Sequence, residues 1–247
     1  MSSLLSSLKE NLSFVLVCAV IVVGIAVLSW LAQRYLCKAA PKAQGTKRVV
    51  FTAVFAAVAA VLMLLEIPLF FAPSFYKMDL SELPVLMCSF YLGPTAGVIC
   101  ELLKVVLKLI LKGTSTAFVG DFANFVVGCA LVLPASVIYH VSKSKKTAVI
   151  GMIVGTLVMT VFGSLFNAVY LLPKFSQLYG LPMDVLVGMG TKVNGAINSV
   201  STLVLFAVVP FNLLKGIIVS ILTFLLYKRL EPVLFRRRSS GKAGADA

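Results

Sequence analysis

Seven apolar runs follow one another along this chain, and their lengths constrain its fold more than any motif does. They cover Leu12–Leu31, Val49–Phe71, Pro84–Leu92, Thr95–Leu111, Phe122–Tyr139, Thr147–Leu172 and Val200–Tyr227. A helix needs about 20 apolar residues to cross the hydrocarbon of a bilayer, so most of these runs are long enough to span it. With 60% hydrophobic and 13% charged residues in 247, the chain reads as an all-α integral membrane protein with short loops and no separate soluble domain. The run Pro84–Leu92 is short for a span and is parted from the next only by Gly93-Pro94.

The formal charge of +13 would suit a nucleic-acid partner in a soluble protein. Here the basic residues lie at the ends of the apolar runs, where they set topology and meet anionic headgroups. Lys38, Lys42, Lys47, Arg48, Lys143, Lys145, Lys146, Lys228, Arg229, Arg236, Arg237, Arg238 and Lys242 fall on one side of the threading. Lys9, Lys77, Lys112, Lys174 and Lys192 fall on the other. The first side is therefore cytoplasmic, with the N-terminus outside and the C-terminus inside the cell membrane. The first run is longer than the apolar part of a typical leader, and no small-x-small site follows it directly, so it reads as a retained anchor.

Several chemistries find no constellation. The five cysteines form no Cys-x-x-Cys pair and His140 has no carboxylate within sequence reach, so neither a metal site nor a catalytic group follows; His140 reads as interfacial. There is no phosphate loop of the Gly-x-x-x-x-Gly-Lys-Ser/Thr type, and Gly188-Met-Gly190 lacks the third glycine of a dinucleotide fingerprint. The chain does not read as an enzyme, and no cofactor is implied.

What remains is polar chemistry inside apolar runs. In Pro210-Phe-Asn-Leu-Leu-Lys-Gly216, Asn212 and Lys215 are three residues apart and share a helix face. A lysine at that depth costs roughly 2.5–3.5 kcal/mol even on the lenient insertion scale, so it must face protein, water or a ligand. Pro210 removes a backbone donor and loosens the helix there. Glu101 and Lys104 are spaced to pair with each other, a structural role. The loop Ala72–Leu83 brings Phe75, Tyr76 and Asp79, which suit a lid over a site and equally an interfacial belt. Ala53, Ala57 and Ala60 give the second run a small-residue face for close helix approach, within the chain or with a partner. Gly151 and Gly155 repeat that spacing.

Asp79-Leu-Ser-Glu-Leu-Pro84, Leu92-Gly-Pro-Thr-Ala-Gly97 with Leu103-Lys104, Asn124-Phe and Leu133-Pro-Ala135 resemble, in order and spacing, the substrate-binding S component of energy-coupling factor (ECF) vitamin transporters. The later pieces Asn167, Lys192-Val-Asn194 and Pro210–Gly216 resemble its riboflavin-specific branch. The resemblance runs from about Arg48 to Leu230. It implies a six-helix S-component bundle, preceded here by one extra N-terminal transmembrane helix. Residues 1–46 would then be that helix and a basic linker, 47–232 the bundle, and 233–247 a basic, disordered tail. It implies capture of riboflavin, with flavin mononucleotide left open, by Asn167, Asn212 and Lys215. It also implies a coupling subunit docked on Ala53, Ala57 and Ala60, with two separate ATPase subunits. Two other readings stand beside it: an S component for a different vitamin, and a membrane assembly subunit whose Asn212 and Lys215 only pack.

Overall fold

The apolar runs become helices because a backbone in hydrocarbon must satisfy its own polar groups. The computed structural model describes residues 2–37, 45–73, 75–114 and 118–234. The basic segment 38–44 and the tail 235–247, for which disorder is expected, lie outside these. Ten α-helices follow in order among the described residues: α1 Ser2–Tyr35, α2 Gly45–Leu64, α3 Glu82–Leu92, α4 Pro94–Lys112, α5 Val119–Ser142, α6 Lys145–Phe166, α7 Leu172–Tyr179, α8 Met183–Thr191, α9 Val200–Leu203 and α10 Val209–Leu234. Among the described residues, five segments are long and apolar enough to cross a membrane: Leu12–Tyr35, Gly45–Leu64, Val119–Ser142, Lys145–Leu178 and Val200–Tyr227. Helix α4 has 19 residues but carries Glu101, Lys104, Lys108 and Lys112. Helix α3 has only 11 residues, about 16 Å of rise and roughly half the hydrocarbon thickness.

The second helix ends earlier than its apolar run suggests. Beyond Leu64 the chain turns into a two-stranded antiparallel hairpin, β1 Ile67–Pro68 against β2 Lys77–Met78. Four residues of ladder leave almost no alternation to read in the sequence. Between the apolar runs that end at Leu172 and begin at Val200 lie two short helices, α7 and α8.

Helix contacts explain the small residues. A Cβ on Gly151 would lie 2.6 Å from the Ala135 carbonyl oxygen, and one on Gly155 2.5 Å from that of Leu131. These glycines therefore let α6 touch the backbone of α5, an intramolecular use of the small-xxx-small spacing. Gly216 on α10 makes room for the Thr156 side chain of α6. On α2, Ala56, Ala59 and Ala60 are buried, while Ala53 and Ala57 are exposed. Ala60 is thus not on the open face that its spacing from Ala53 and Ala57 suggests, because the helix rotates it into the core.

The break between α3 and α4 needs Gly93, whose φ of +102° is a region that favours glycine. Pro94 then opens α4 with its fixed φ. Gly93 has no side chain to cap the new helix, and α1 supplies one. Gln33 Oε1 accepts from the Thr95 N–H (3.1 Å), and the Ser29 carbonyl accepts from Thr95 Oγ1 (3.3 Å). Phe14 of α1 is buried against Phe122 of α5, ring centroids 6.1 Å apart. Helix α1 is therefore docked on α4 and α5 by specific contacts.

Two π-helical turns, Asn167–Leu171 and Val204–Val208, adjoin the polar residues of interest. The second directly precedes α10, so the wide turn accommodates the donor that Pro210 lacks. His140, in the last turn of α5, is fully buried: its ring lies against Tyr139, and Nδ1 sits 2.8 Å from the Ser136 carbonyl. The turn after α5 places Lys143 at positive φ, and Ser144 caps α6 through a reciprocal box with Thr147.

Candidate ligand-binding site

A cavity of about 140 Å³ lies at the hairpin end of the bundle. Its aromatic wall joins the hairpin loop to the helices. Phe75 stacks on Phe175 of α7 with centroids 5.6 Å apart and planes at 30°. Tyr76 meets Phe211 of α10 at the same separation. The Tyr76 hydroxyl donates to Asn167 Oδ1 at 2.7 Å, so the loop is latched to the π-helical turn after α6. Val119, Ala123, Val127, Leu171 and Leu172 supply apolar surface.

Polar groups gather at the other side of the cavity. Asn212 and Lys215, one turn apart on α10, both line it and are only 3% and 5% exposed. Lys215 Nζ is 3.0 Å from Glu82 Oε1 and 3.2 Å from Asp79 Oδ2. Lys104 Nζ donates to Glu82 Oε2 (2.9 Å), to Asn124 Oδ1 (2.8 Å) and to Glu101 Oε1. Asn124 Nδ2 closes the ring by donating to Asp79 Oδ2 at 3.3 Å. Asp79 also accepts from the Ser81 backbone N–H at 2.9 Å and from the Ser81 hydroxyl, which fixes its carboxylate at the entry to α3. The result is one buried network joining the hairpin loop, α3, α4, α5 and α10. Asn212 Nδ2 is buried without a hydrogen-bond partner, a donor held ready at the cavity.

At the rim, Glu66 takes two lysines, Lys77 at 2.8 Å and Lys112 at 3.0 Å. Partial burial would raise its carboxyl, but the hydrogen bonds and charges of these two lysines outweigh that and hold it below the ordinary carboxylate range. The pair of contacts ties β2 and the end of α4 to the entrance of the hairpin.

Phe75, Tyr76, Asn167, Asn212 and Lys215 are thus brought together on one cavity. Asp79 is not part of the lining; it lies behind Lys215 and orients it. Lys104 and Glu101 pair as their spacing predicts. Glu82, Asn124, Phe175 and Phe211 also line the cavity, although the sequence reading gives none of them a role in the site. A signal existed for the first of these. Glu82 opens an apolar run three residues after Asp79, in a chain short of acids to match its buried lysines. Phe175 carries no such sign, because its partner Phe75 is a hundred residues distant.

An apolar slot with the carboxamides of Asn167 and Asn212 and the Lys215 ammonium on its polar side can bind a flat ligand with an edge of alternating donors and acceptors. Comparison with known proteins agrees with that chemistry. The family profile "ECF transporter, substrate-specific component" matches residues 47–227. The riboflavin transporter RibU of Staphylococcus aureus (strain TCH60) is 34% identical over 193 residues, covering 78% of this chain and 95% of that one. The riboflavin transporter FmnP of Bacillus subtilis (strain 168) is 29% identical over 195 residues, with 78% and 97% covered. A solved structure described as "Structure and mechanism of the S component of a bacterial ECF transporter" superposes with a TM-score of 0.61 at 35% identity, covering 77% of this chain and 99% of that one. The helix α1 and the tail lie outside the matched region. The chain belongs to the family of substrate-specific S components of ECF transporters.

Proposed function

We propose that this protein captures riboflavin at the hairpin end of the bundle and presents it for uptake. The observation that carries the reading is the pair Asn212 and Lys215, both buried, both on the cavity and one turn apart, with the Asn212 amide left unpartnered. Riboflavin answers it with a flat apolar ring system and a uracil-like edge of alternating donors and acceptors. Asn212 and Asn167 each offer a donor and an acceptor, and Lys215 offers donors only. The relatives named riboflavin transporters, matched over nearly their whole length, support the same ligand.

A cavity of about 140 Å³ is small beside the roughly 300–1,000 Å³ of sites that enclose such ligands. Phe75 and Phe175, at 5.6 Å, also leave no room for a ring between them. Binding therefore goes with outward movement of the hairpin loop, which is latched by Tyr76–Asn167 and Glu66–Lys77. The hairpin end faces outside and the Lys143–Lys146 turn faces the cytoplasm, which puts the N-terminus of α1 outside. Residues 1–46 are an added helix and linker on the bundle.

Uptake then depends on a membrane coupling subunit and two ATPase subunits. Ala53 and Ala57, with the exposed Val50, Val54, Val58 and Val61, give α2 an apolar face fit for a close helix partner. Quenching of riboflavin fluorescence on titration of detergent-purified protein tests the ligand. Saturable quenching at one ligand per chain is expected. Failure to quench riboflavin, alongside binding of another vitamin, would assign the site elsewhere.

A further inference from the structure

The buried network beneath the cavity holds three carboxyl groups, Asp79, Glu82 and Glu101, but only two ammonium groups, Lys104 and Lys215. All five are buried, from 0% exposed for Glu101 and Lys104 to 5% for Lys215. An uncompensated charge in such surroundings is relieved by taking up a proton, because solvation lost on burial disfavours the charged form. The other described lysines nearby are engaged elsewhere. Lys108 pairs with Asp121 at 2.6 Å, and Lys77 and Lys112 share Glu66 at the rim.

The three carboxyls are not equivalent. Asp79 is surrounded by donors: the Ser81 N–H and hydroxyl, Asn124 Nδ2 and Lys215. Glu82 has an ammonium beside each oxygen: Lys104 donates to Oε2, and Lys215 lies 3.0 Å from Oε1, which takes no hydrogen bond. Glu101 has Lys104 alone, on Oε1, and its Oε2 is buried with no hydrogen-bond partner. Glu82 and Glu101 also converge on one point of α5. A Cβ on Gly128 would lie 3.0 Å from Glu82 Oε2 and would collide with Glu101 Oε1. Glycine there makes room for two carboxyl groups side by side, an arrangement in which the charge on either disfavours ionisation of the other. The charged and titratable groups facing Glu101 are therefore Glu82 from α3, Lys104 and the adjacent Cys100 from α4 itself, and Cys129 from α5. Asp79 and Lys215 lie beyond Glu82.

We infer that Glu101 is held as a neutral carboxylic acid beside the Glu82 carboxylate, and that it acts as a positioning residue for Lys215. With that proton in place the network is electrically balanced, two carboxylates to two ammoniums. Glu82 then divides its charge between Lys104 and Lys215, and Lys215 keeps a donor for the cavity while contributing no net charge to it. Such a floor suits an uncharged acceptor edge. The positioning role rests on the ligand reading above; the proton does not.

Infrared spectroscopy of the full-length protein in detergent, without ligand, tests the proton. At neutral pH a protonated-carboxyl C=O stretching band is expected, shifted in D2O and lost in Glu101→Gln. Riboflavin titration then locates it. Glu101→Gln, which keeps a neutral group of the same shape, should bind within about threefold of the parent, whereas Glu82→Gln should weaken binding by about tenfold or more. If riboflavin is not the ligand, thermal unfolding gives the same ordering, with Glu101→Gln near the parent and Glu82→Gln lowered. Absence of the band in the parent protein, where no variant need fold, overturns the inference. A band accompanied by tolerance of Glu82→Gln, or by equal damage from Glu101→Gln, places the proton elsewhere and overturns the assignment to Glu101.

Discussion

Replacing Lys215 by methionine separates two tasks that one side chain performs. Lys215 lies 3.0 Å from Glu82 Oε1 and 3.2 Å from Asp79 Oδ2, and it also lines the cavity. Removing one partner of a buried ion pair typically costs about 3–5 kcal/mol, because a charge is left stranded. That is an upper bound here. Glu82 keeps Lys104 at 2.9 Å, and Asp79 keeps the Ser81 N–H, its hydroxyl and Asn124. A stability loss of about 1–3 kcal/mol follows, the range for one under-satisfied buried group. Riboflavin loses a hydrogen bond from a charged donor, worth about 1.5–3 kcal/mol, or roughly ten- to a hundredfold in Kd. The double variant Lys215→Met/Asp79→Asn removes one charge of each sign and should regain much of the stability without regaining the affinity. Thermal unfolding in detergent reads the first quantity and fluorescence quenching the second. Recovery of affinity together with stability in the double variant would show that Lys215 acts on the ligand only through folding, and would refute its place in the site.

Asn212→Leu removes an amide nitrogen that is buried without a partner, so affinity should fall by about 0.5–1.5 kcal/mol while the unfolding temperature holds or rises; a lower unfolding temperature with unchanged affinity contradicts it. Ala57→Leu, on the exposed face of α2, should leave riboflavin binding intact and abolish uptake in cells that carry the coupling subunits. Ala60→Leu, 1% exposed, should instead cost about 1–3 kcal/mol of stability through overpacking, and equal effects of the two would remove α2 as the docking face. Glu66 contributes to hairpin closure while ionised. Because the paired lysines hold its carboxyl below the ordinary range, that contribution is complete at neutral pH and is lost only as pH falls through that lowered value. Protection against amide hydrogen exchange in residues 67–73 and 75–78, taken relative to the intrinsic rate at each pH, should fall in acid, and in Glu66→Gln already at neutral pH, both modestly because the two lysines are half-exposed.

The helices were legible because hydrocarbon leaves the backbone few choices, and a run of apolar residues declares them. Their ends were less so: α2 stops at Leu64 rather than Phe71, since a two-residue strand has no periodicity to detect. Lys215 and Asn212 announced themselves by being polar at depth, and their helical spacing put them on one face. The partners of Lys215 did not, because Asp79 is 136 residues away and Glu82 reads as a loop acid until α3 turns it inward. Small-residue spacing was ambiguous for the same reason. It marks close approach but not its object, so Gly151 and Gly155 turn out to touch α5 while Ala53 and Ala57 face outward.

The placement of Asp79 carries a consequence for how capture is coupled to closure. Asp79 follows β2 directly, so the loop that supplies the aromatic wall through Phe75 and Tyr76 also supplies the counter-charge of the lysine opposite. Tyr76 reaches Asn167 from the same loop, at 2.7 Å. Swinging the hairpin out to admit a ligand therefore strains the bonds that orient Lys215 and frees the Asn167 acceptor. A ligand that occupies both Asn167 and Lys215 restores what opening removed, and closure follows from satisfying buried polar groups. A ligand that fits the aromatic slot but lacks the polar edge leaves Asn167, Asn212 and Lys215 unpaired. Selectivity then arises from the cost of those unpaired groups more than from the shape of the slot.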